Sequence, residues 1–412
     1  MLLSQFARSL NTETAFDVLA VAKRLKAGGK DVIELQIGDS PYASATSAIA
    51  NGMQAIHDGA THYCASMGLP EFRAGIAENY HKEFGVKIGP ENVVVGPGAK
   101  VFEQFFCEAF LDPGDAVLLF SPAFPTYDPN VLRRGAKPVY APLTQANHFR
   151  PDLNDVERFL KNEPNAKAIF LNSPHNPTGG VASAEDLKGI ADLIRGKPIA
   201  LFSDEPYCHM VWDGRHRTIL AEPEMMSQCL AAYTFSKSYS MSGWRLGYAV
   251  GDKTTIDAVG KMINTSLSCV PPFVQRAGLA AIQRDSAERD ATMRKFHTKV
   301  ELLVAELKKL DGVKVLMPAG TFYVFPDVSA ICRRLGIRSH GLAMYLLEGA
   351  DEKFGVGCLG GECFGAAGQG FIRFSCAEPD DRLVDAVHFL AEAVKREDRV
   401  KKYLNENPKY RA

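Results

Sequence analysis

The sequence predicts an α/β fold in which helices cover both faces of a mostly parallel β-sheet, joined to a smaller α+β domain. The first observation is a series of short apolar runs that alternate with amphipathic helical stretches. The second is that these runs are apolar throughout, as strands are when helices cover both faces of a sheet. The predicted strands are residues 92–96, 116–120, 137–140, 168–173, 199–205 and 230–236.

Local patterns predict the elements that precede these strands. Residues 14–27 have apolar side chains at helical spacing and are followed by Gly28 and Gly29, a typical helix end. A strand-like segment follows at residues 32–38, and further helical patterns occur within residues 49–84. We interpret the beginning of the chain as an arm that enters a domain.

The pattern changes near residue 270. Long helices are predicted over residues 273–310, and the charged segment 395–412 is predicted to be a solvated helical tail. Three strand-like segments with helices between and after them are residues 312–317, 321–328 and 370–375. We therefore divide the chain into an N-terminal arm with part of the small domain, a large domain and a C-terminal small domain. Their predicted bounds are residues 1–45, 46–285 and 286–412.

Composition and charge exclude several classes of function. The chain has 412 residues, of which 46% are hydrophobic and 23% charged, as in globular proteins with more than one core. Its formal net charge of -1 provides no field that would gather nucleic acid or an anionic membrane. No N-terminal apolar run has the length of a signal peptide or membrane span. The nine cysteines include no CxxC pair, so we expect reduced thiols, no metal site and a cytoplasmic protein.

Lys237 is the most informative residue, because it follows the predicted strand 230–236 directly. The carboxyl ends of parallel strands form the edge of the sheet where sites are built. Desolvation there favours the neutral amine, which is the form that attacks a carbonyl. Ser236 adds a hydroxyl and Arg245 a forked cation for a phosphate. Taken alone, Lys237 is explained equally well as a buried lysine paired with an acid.

Two further segments supply groups for an aromatic cofactor with a phosphate. Asp204, at a strand end, can keep a pyridinium nitrogen protonated, and Tyr207 can donate to a phenolate oxygen on the same ring. After Gly98, the amides of Ala99 and Lys100 at a helix start can bind a phosphate. A helix cap explains Asp204 alone, and an ordinary glycine turn explains the loop alone.

Three more side chains suit this chemistry. Phe124 could stack on an aromatic ring. Asn176 lies between prolines that stiffen the backbone and hold its amide toward a cofactor or substrate oxygen. Arg373 is in an apolar strand, so its guanidinium needs an anion such as an α-carboxylate. A core position, a plain turn and a structural salt bridge are the respective alternatives.

Together, these segments resemble the class I and II aminotransferases of the type I pyridoxal-phosphate fold. In chain order the matching motifs are VIELQIG, HYCASMGLPEFRAGIA, GAK, SPAFPTY, NSPHNPTGG, SDEPY, SKSYSMSGWRLGY, GTFYVFP and FIRFSCA. The resemblance implies a pyridoxal 5'-phosphate-dependent aminotransferase with a mostly parallel seven-stranded sheet in its large domain. It also implies amino acid and 2-oxo acid substrates, and a homodimer whose active sites both chains share.

The resemblance implies a role for each site residue. Lys237 would carry the cofactor as a Schiff base and move the α-proton in a ping-pong reaction, while Asp204 pairs with the pyridine nitrogen. Arg373 and the backbone at Gly38 would hold the substrate carboxylate, and Tyr63 would reach the phosphate of the neighbouring subunit. The other implied cofactor contacts are Gly98, Ala99, Lys100, Phe124, Asn176 (also a substrate contact), Tyr207 (also catalytic), Ser236 and Arg245.

The substrate is less sharply predicted than the reaction. Residues 39–42 replace the PDF sequence usual after the first glycine, and Phe124 stands where aspartate-specific relatives often carry Trp. Lys100 favours an acidic substrate, whereas Glu13, on the N-terminal arm, would repel one. We expect aspartate or another common amino acid as donor, with glutamate and 2-oxoglutarate as the exchange pair.

Two other functions were weighed. A C–S lyase of the cystathionine β-lyase type, or an enzyme resembling aminocyclopropane-carboxylate synthase, uses nearly the same residues. A non-catalytic or regulatory relative is disfavoured, because Lys237 is present and residues 1–30 are too few for a winged-helix domain.

Overall fold

The fold is built around a seven-stranded sheet. The computed structural model describes residues 2–10 and 13–412. The strands in chain order are β1 (Asp31–Glu34), β2 (Val93–Gly96), β3 (Ala116–Ser121), β4 (Lys137–Pro142), β5 (Ala166–Asn172), β6 (Ala200–Asp204), β7 (Cys229–Thr234), β8 (Gly247–Val250), β9 (Tyr323–Val324), β10 (Phe354–Gly357), β11 (Leu359–Gly360) and β12 (Ile372–Ser375).

The strand order in the large sheet is β2-β8-β7-β6-β5-β3-β4. Strands β4, β3, β5, β6 and β7 are parallel to one another, and β8 runs antiparallel to both of its neighbours, β7 and β2. The predicted α/β fold with a mostly parallel sheet is therefore confirmed. The six predicted runs between residues 92 and 236 are all strands of this sheet, whereas the strand-like segment 32–38 overlaps β1 of a separate two-stranded sheet, and β8 was not predicted.

Helices surround the sheet and extend beyond it. In chain order they are α1 (Gln5–Ser9), α2 (Thr14–Ala27), α3 (Thr46–His57), α4 (Pro70–Phe84), α5 (Lys100–Phe110), α6 (Tyr127–Arg133), α7 (Leu153–Asn162), α8 (Ala184–Ile194), α9 (Phe235–Ser238), α10 (Lys253–Leu267), α11 (Pro272–Arg284), α12 (Ser286–Leu307), α13 (Ser329–Leu335), α14 (Ser339–Met344), α15 (Asp380–Ala393) and α16 (Glu397–Glu406). The predicted helix at residues 14–27 coincides with α2.

The large sheet is buried on both faces because alternate side chains of each strand enter different cores. In β3, Leu118 and Phe120 belong to one hydrophobic cluster, and Val117 and Leu119 belong to another. Successive side chains of a strand point to opposite faces, so each run must be apolar throughout. This burial pattern explains why the runs were recognisable in the sequence.

A third hydrophobic cluster joins the two ends of the chain. It contains Ala15 and Val18 of α2, side chains of α12, and Leu390 of α15. Strand β1 pairs with β10, and β11, β12 and β9 form a three-stranded sheet. The N-terminal segment is thus packed against residues that follow it by more than 300 positions, as the pairing of Asp31 with Phe354 illustrates.

Two strand predictions in this later part were wrong. Residues 312–317 form no strand; Lys314 makes only an isolated bridge with Asp327. The predicted strand 321–328 is reduced to β9, and Phe322 and Phe325 on either side of β9 are buried. These apolar runs serve packing without regular pairing, a distinction that hydrophobicity alone does not reveal.

The C-terminal tail was also predicted incorrectly as solvated. Helix α16 buries Val400, Tyr403 and Leu404, and the Tyr403 hydroxyl donates to Glu348 Oε1 at 2.7 Å. The ring of Tyr410 lies parallel to that of Tyr403, with centroids 6.1 Å apart. The charged residues occupy one face of the helix, while the spacing of these apolar residues lets the other face pack on the domain.

None of the helices within residues 2–10 and 13–412 is both long and apolar enough to cross a membrane.

Candidate active site

A cavity of about 510 Å³ opens beside the carboxyl ends of β5, β6 and β7 and the start of α5. This is the edge where a parallel sheet places its ligand sites. Most of the predicted site residues line it: Gly38, Ala99, Lys100, Phe124, Asn176, Asp204, Tyr207, Ser236, Lys237, Arg245 and Arg373. The chain therefore brings together residues that are up to several hundred positions apart.

Two predicted residues do not line the cavity. Gly98 directly precedes Ala99 and lies beneath the Arg245 side chain. Tyr63 is 89% exposed and lies outside the lining. The prediction for Tyr63 concerns a neighbouring subunit, which a single chain does not contain, so it stays a prediction.

Lys237 is held in α9, the short helix that follows β7. Its amine donates to the carbonyl oxygen of Gly38 at 2.5 Å. The same nitrogen lies 5.9 Å from the ring centres of Tyr207 and Phe322. The amine thus faces the cavity with one polar neighbour and aromatic walls, a setting that limits its contact with water.

Asp204 ends β6 and is buried. Its Oδ2 accepts a hydrogen bond of 2.5 Å from the Tyr127 hydroxyl. Burial raises the pKa of Asp204 to about 7, with a smaller contribution from the neighbouring Glu205 carboxylate, while the Tyr127 hydrogen bond acts in the opposite direction. A carboxyl in this state favours a positively charged partner in the cavity.

Tyr207 lies one turn beyond Asp204. Its hydroxyl is 3.2 Å from that of Tyr323, and burial is the main cause that raises the pKa of Tyr207. Tyr207 therefore retains a proton with which to donate to an oxygen in the cavity. Gly38 approaches Tyr323 so closely that a Cβ at residue 38 would lie 1.7 Å from the tyrosine oxygen. Only glycine allows this approach.

The start of α5 and Arg245 form a polar end of the cavity. Ala99 is the N-cap of α5, whose first residue is Lys100. Arg245 donates to the Pro97 carbonyl through Nη2 at 2.9 Å and to the Ser236 hydroxyl through Nη1 at 3.4 Å. Free backbone amides at a helix start and a guanidinium are together suited to an anion such as a phosphate.

Arg373 in β12 lies at another part of the cavity and is 3% exposed. Its Nη1 donates to Asn176 Oδ1 at 2.9 Å, and Nη2 donates to the Gln36 carbonyl at 2.6 Å. The guanidinium lies 4.3 Å from the ring centre of Tyr323, and its buried Nε has no partner within the described chain. No carboxylate pairs with Arg373 among residues 2–10 and 13–412, so an anionic ligand would complete it.

The entrance of the cavity carries an ion pair that the sequence did not predict. Lys100 Nζ lies 2.7 Å from Glu13 Oε2, and the same amine is 5.1 Å from the ring centre of Phe124. Phe16 and Ile37 also line the cavity. The two charges that gave conflicting substrate predictions therefore neutralise each other.

Sequence reasoning missed three residues that take part in the site. Tyr127 and Tyr323 belong to motifs that were recognised, yet neither had been given a role. Glu103 lines the cavity one turn beyond Lys100 on α5. An acidic residue within an apolar helix face was the available signal for Glu103.

Comparisons with known proteins agree with this geometry. The family model for aminotransferase class I and II matches residues 30–388. The chain is 33% identical to the aspartate aminotransferase of Pyrococcus horikoshii, covering 89% of this chain and 92% of that protein. It is 35% identical to the probable aspartate/prephenate aminotransferase of Aquifex aeolicus, covering 93% and 96%.

A solved structure has the same fold. The aspartate aminotransferase from Thermus thermophilus with maleate superposes with a TM-score of 0.88 at 29% identity. The superposition covers 95% of this chain and 100% of that chain. The similarity thus extends over nearly the whole chain.

Proposed function

The chain belongs to the aminotransferase class I and II family, and on that premise we propose that the cavity around Lys237 is its active site. The protein is a pyridoxal-phosphate-dependent aminotransferase, which moves an amino group from an amino acid to a 2-oxo acid. One observation carries the assignment of the site: a single cavity is lined by the Lys237 amine, the Asp204 carboxyl and the guanidinium groups of Arg245 and Arg373.

The residues present fit the cofactor. The cavity volume of about 510 Å³ lies within the range of roughly 300 to 1,000 Å³ typical of small-molecule sites. Next to it, a Cβ at Gly98 would lie 2.5 Å from Arg245 Nη2, so the absence of a side chain keeps the guanidinium in place. The residues proposed to hold the phosphate are Gly98, Ala99, Lys100, Ser236 and Arg245. Those proposed around the ring are Phe124, Asn176, Asp204 and Tyr207.

The chemistry divides between cofactor and protein. When bound, pyridoxal phosphate supplies a carbonyl that reacts with amines and a ring that withdraws electrons from the substrate Cα. Lys237 Nζ is proposed to take the proton from the substrate Cα and would deliver it to the cofactor carbon that comes to carry the amino group. Asp204 holds a proton at the ring nitrogen. Tyr207 and Asn176 donate to the ring oxygen.

Arg373 is proposed to bind the α-carboxylate of the substrate together with the backbone at Gly38. The stacked ring of Tyr323 and the hydrogen bond to Asn176 fix the plane of the guanidinium. A fixed carboxylate in turn fixes the orientation of the Cα–H bond relative to Lys237, which favours proton removal over other bond cleavages.

For the amino donor we propose aspartate, with glutamate and 2-oxoglutarate as the exchange pair. The names of the relatives support this choice, and Lys100 supplies a cation near the cavity entrance. An acidic side chain must compete with Glu13 for that cation. The proposal therefore requires that the N-terminal arm yields when such a substrate enters.

A homodimer with shared active sites is part of the proposal. Helix α3 exposes Ile49, Met53 and Ile56 along one face at helical spacing, and such a stripe suits a second copy of the chain. Tyr63 follows α3 and is proposed to reach the partner's phosphate.

Two further predictions stay proposals: a cytoplasmic location, and the division of the chain into domains at residues 45 and 285. The hydrophobic cluster that joins the two ends of the chain supports that division.

The proposed site is tested by the absorbance spectrum of purified protein loaded with pyridoxal phosphate. Single amino acids are added to wild type and to Lys237→Ala. In wild type one amino acid should convert the aldehyde form to the amine form and release a 2-oxo acid. Lys237→Ala should bind the cofactor without covalent attachment and lose at least about 10²-fold of this conversion. Unchanged conversion by the variant would remove Lys237 from the mechanism.

The same samples separate the lyase alternative. Release of ammonia and pyruvate from cystathionine, without need of a 2-oxo acid, would indicate a C–S lyase. Dependence of product on an added 2-oxo acid indicates transamination.

A further inference from the structure

Helix α5 carries a buried acidic residue that faces the proposed cofactor site. Glu103 lies one helical turn after Lys100, is 2% exposed and lines the same cavity as Asp204. Acidic side chains are very seldom buried to this degree without a cationic partner. Its position therefore calls for a function.

One oxygen of Glu103 is held firmly and the other is not. The Thr126 hydroxyl donates to Oε2 at 2.5 Å, and Asn130 Nδ2 lies 3.5 Å from the same oxygen. Within residues 2–10 and 13–412, no side chain or amide donates to Oε1. The hydrogen bonds to Oε2 thus fix the orientation of the carboxyl group, and Oε1 is free to interact with a group in the cavity.

The lysines nearest to these two acids have other partners. The Lys100 amine is bound to Glu13, and the Lys237 amine donates to the Gly38 carbonyl. The described part of the chain contains no salt bridge to Glu103 or Asp204. Burial first, and the nearby Asp204 carboxylate second, raise the pKa of Glu103. A positive group in the cavity, beside both acids, would stabilise their anionic forms.

We infer that Glu103 is a positioning residue for the ring nitrogen of the cofactor: acting with Asp204, it provides the negative potential that keeps this nitrogen protonated. The inference rests on the proposed active site. A protonated ring nitrogen draws more electron density from the substrate Cα, so Glu103 would act on the reaction through Asp204 and without touching the substrate.

Several other charged groups face these two acids and also affect their protonation. Glu103 is exposed to the fields of Lys100 on its own helix and of Glu13 on the N-terminal arm. Asp204 faces Tyr127 on α6, Glu205 directly after β6, Lys100 and Lys237. Because Lys100 and Glu13 form an ion pair, their opposite fields largely cancel at Glu103. Glu103 is therefore a further acidic group near Asp204 that a substitution can remove without changing Asp204 itself.

The test follows the protonation of the ring nitrogen directly. Wild type, Glu103→Gln and Glu103→Asp are loaded with pyridoxal phosphate labelled with ¹⁵N in the ring, and the ¹⁵N chemical shift is measured against pH. Glutamine keeps the acceptor for Thr126 and removes only the charge. Glu108→Gln is the matched control, because it makes the same change on the outer side of α5, where Glu108 accepts from Gln104.

In Glu103→Gln the ratio of protonated to neutral ring nitrogen should fall at least about tenfold at a given pH, which corresponds to one pKa unit. The dissociation constant of the cofactor should rise by a similar factor. Glu103→Asp should restore part of both values, and Glu108→Gln should match wild type. If Glu103→Gln binds too little cofactor for the spectrum, recovery of binding in Glu103→Asp supports a role of the charge.

Identical ¹⁵N titrations in wild type and Glu103→Gln would overturn the inference, even if the reaction were slower, because the effect would then be structural. A change confined to the selectivity between amino acids with cationic and neutral side chains would also overturn it. Failure of wild type to bind the cofactor at Lys237 would refute the proposed site itself, so the two failures are distinguishable.

Discussion

At the residue scale, the site depends on charged groups that lack an ordinary partner. Asp204 is buried with a tyrosine hydroxyl as its donor, and Arg373 is buried between aromatic rings with carbonyl oxygens as acceptors. Burying a charge without a counter-ion costs free energy that the folded protein must supply elsewhere. A ligand of opposite charge would supply the missing partner and offset this cost. Buried charged groups without a counter-ion therefore indicate a binding site.

The cofactor-free protein should lose stability as the pH rises through the range in which Asp204 ionises. The pKa of Asp204 is about 7 in the folded chain against an ordinary value of 3.8, so the folded state binds more protons between these values. Stability therefore falls with rising pH, by at most about 1.4 kcal/mol per pH unit. Urea unfolding of wild type and Asp204→Asn at several pH values tests this.

The Asp204→Asn variant should lack this slope between about pH 4 and 7, since its side chain does not ionise. Asp381→Asn removes an exposed carboxyl and is the control that should keep it. In wild type, stability should fall with rising pH, whereas the affinity for the cofactor should increase because Asp204 becomes anionic. Equal slopes in all three proteins would contradict the assignment.

Arg373→Lys should impair every amino acid substrate while leaving the cofactor spectrum unchanged. Lysine keeps the charge but loses the planar fork that matches a carboxylate and the stacking on Tyr323. The loss of a charged hydrogen bond, about 1.5 to 3 kcal/mol, predicts a fall in kcat/KM of roughly 10- to 150-fold. Arg382→Lys is the control, because Arg382 pairs with Asp31 on the surface. An effect limited to one substrate would argue against binding of the α-carboxylate.

At the element scale, the junction between β2 and α5 is the most constrained part of the site. Gly98 has a φ of +91°, a region that residues with a Cβ rarely adopt. The turn leads from β2 into α5, and within it the Pro97 carbonyl accepts a hydrogen bond from Arg245. A short strand, a glycine turn and a helix start thus form the place where we propose that an anion binds.

In Gly98→Ala, the loss in the free energy of cofactor binding should exceed the loss in the free energy of unfolding. The positive φ costs about 1 to 2 kcal/mol, and the new Cβ would lie 2.5 Å from Arg245 Nη2 and displace it. Gly59→Ala is a matched control, because Gly59 has a φ of +80° with nothing within 4 Å of the added Cβ. Cofactor titration and urea unfolding of both variants separate the displacement of Arg245 from backbone strain. Equal cofactor affinity in both variants would show that Arg245 does not need its observed position.

At the scale of the whole molecule, one hydrophobic cluster joins the chain ends and two others enclose the large sheet. The cavity lies where residues of both groups meet, since Arg373 and Tyr323 come from the last third of the chain, Asp204 ends a strand of the large sheet, and Lys237 lies in the helix that follows another. The distance between Arg373 and Lys237 therefore depends on how these two parts of the molecule pack together.

Met53→Glu should convert the proposed homodimer into monomers. Met53 is 66% exposed in the middle of the apolar stripe of α3, and a carboxylate buried in an interface without a partner is costly. Sedimentation of wild type and variant measures the state of association. Met317→Glu, at a methionine that is 40% exposed elsewhere on the surface, should sediment as wild type does. A dimeric Met53→Glu protein would place the interface on another surface.

The sequence by itself determined the class of fold and the chemistry of the site. Buried parallel strands must be apolar throughout, so their positions were visible. Lys237 and Asp204 follow or end predicted strands, and their combination with Arg245, not any one of these residues alone, indicated the chemistry. Strand β8 was missed because four residues that begin with a glycine are too short a run to identify a strand by periodicity. The segment 312–317 was misjudged because apolar residues also pack without pairing.

Only the tertiary structure decided which side chains meet. Lys100 pairs with Glu13 across 87 positions, and Tyr127 donates to Asp204 across 77. The course of the chain between such residues sets their distance, and local periodicity contains no information about it. Whether Glu103 faces the cavity depends likewise on the rotation of α5 about its own axis relative to the sheet. The residues that we propose to perform the reaction could therefore be named from the sequence, whereas the groups that contact them in the fold could not.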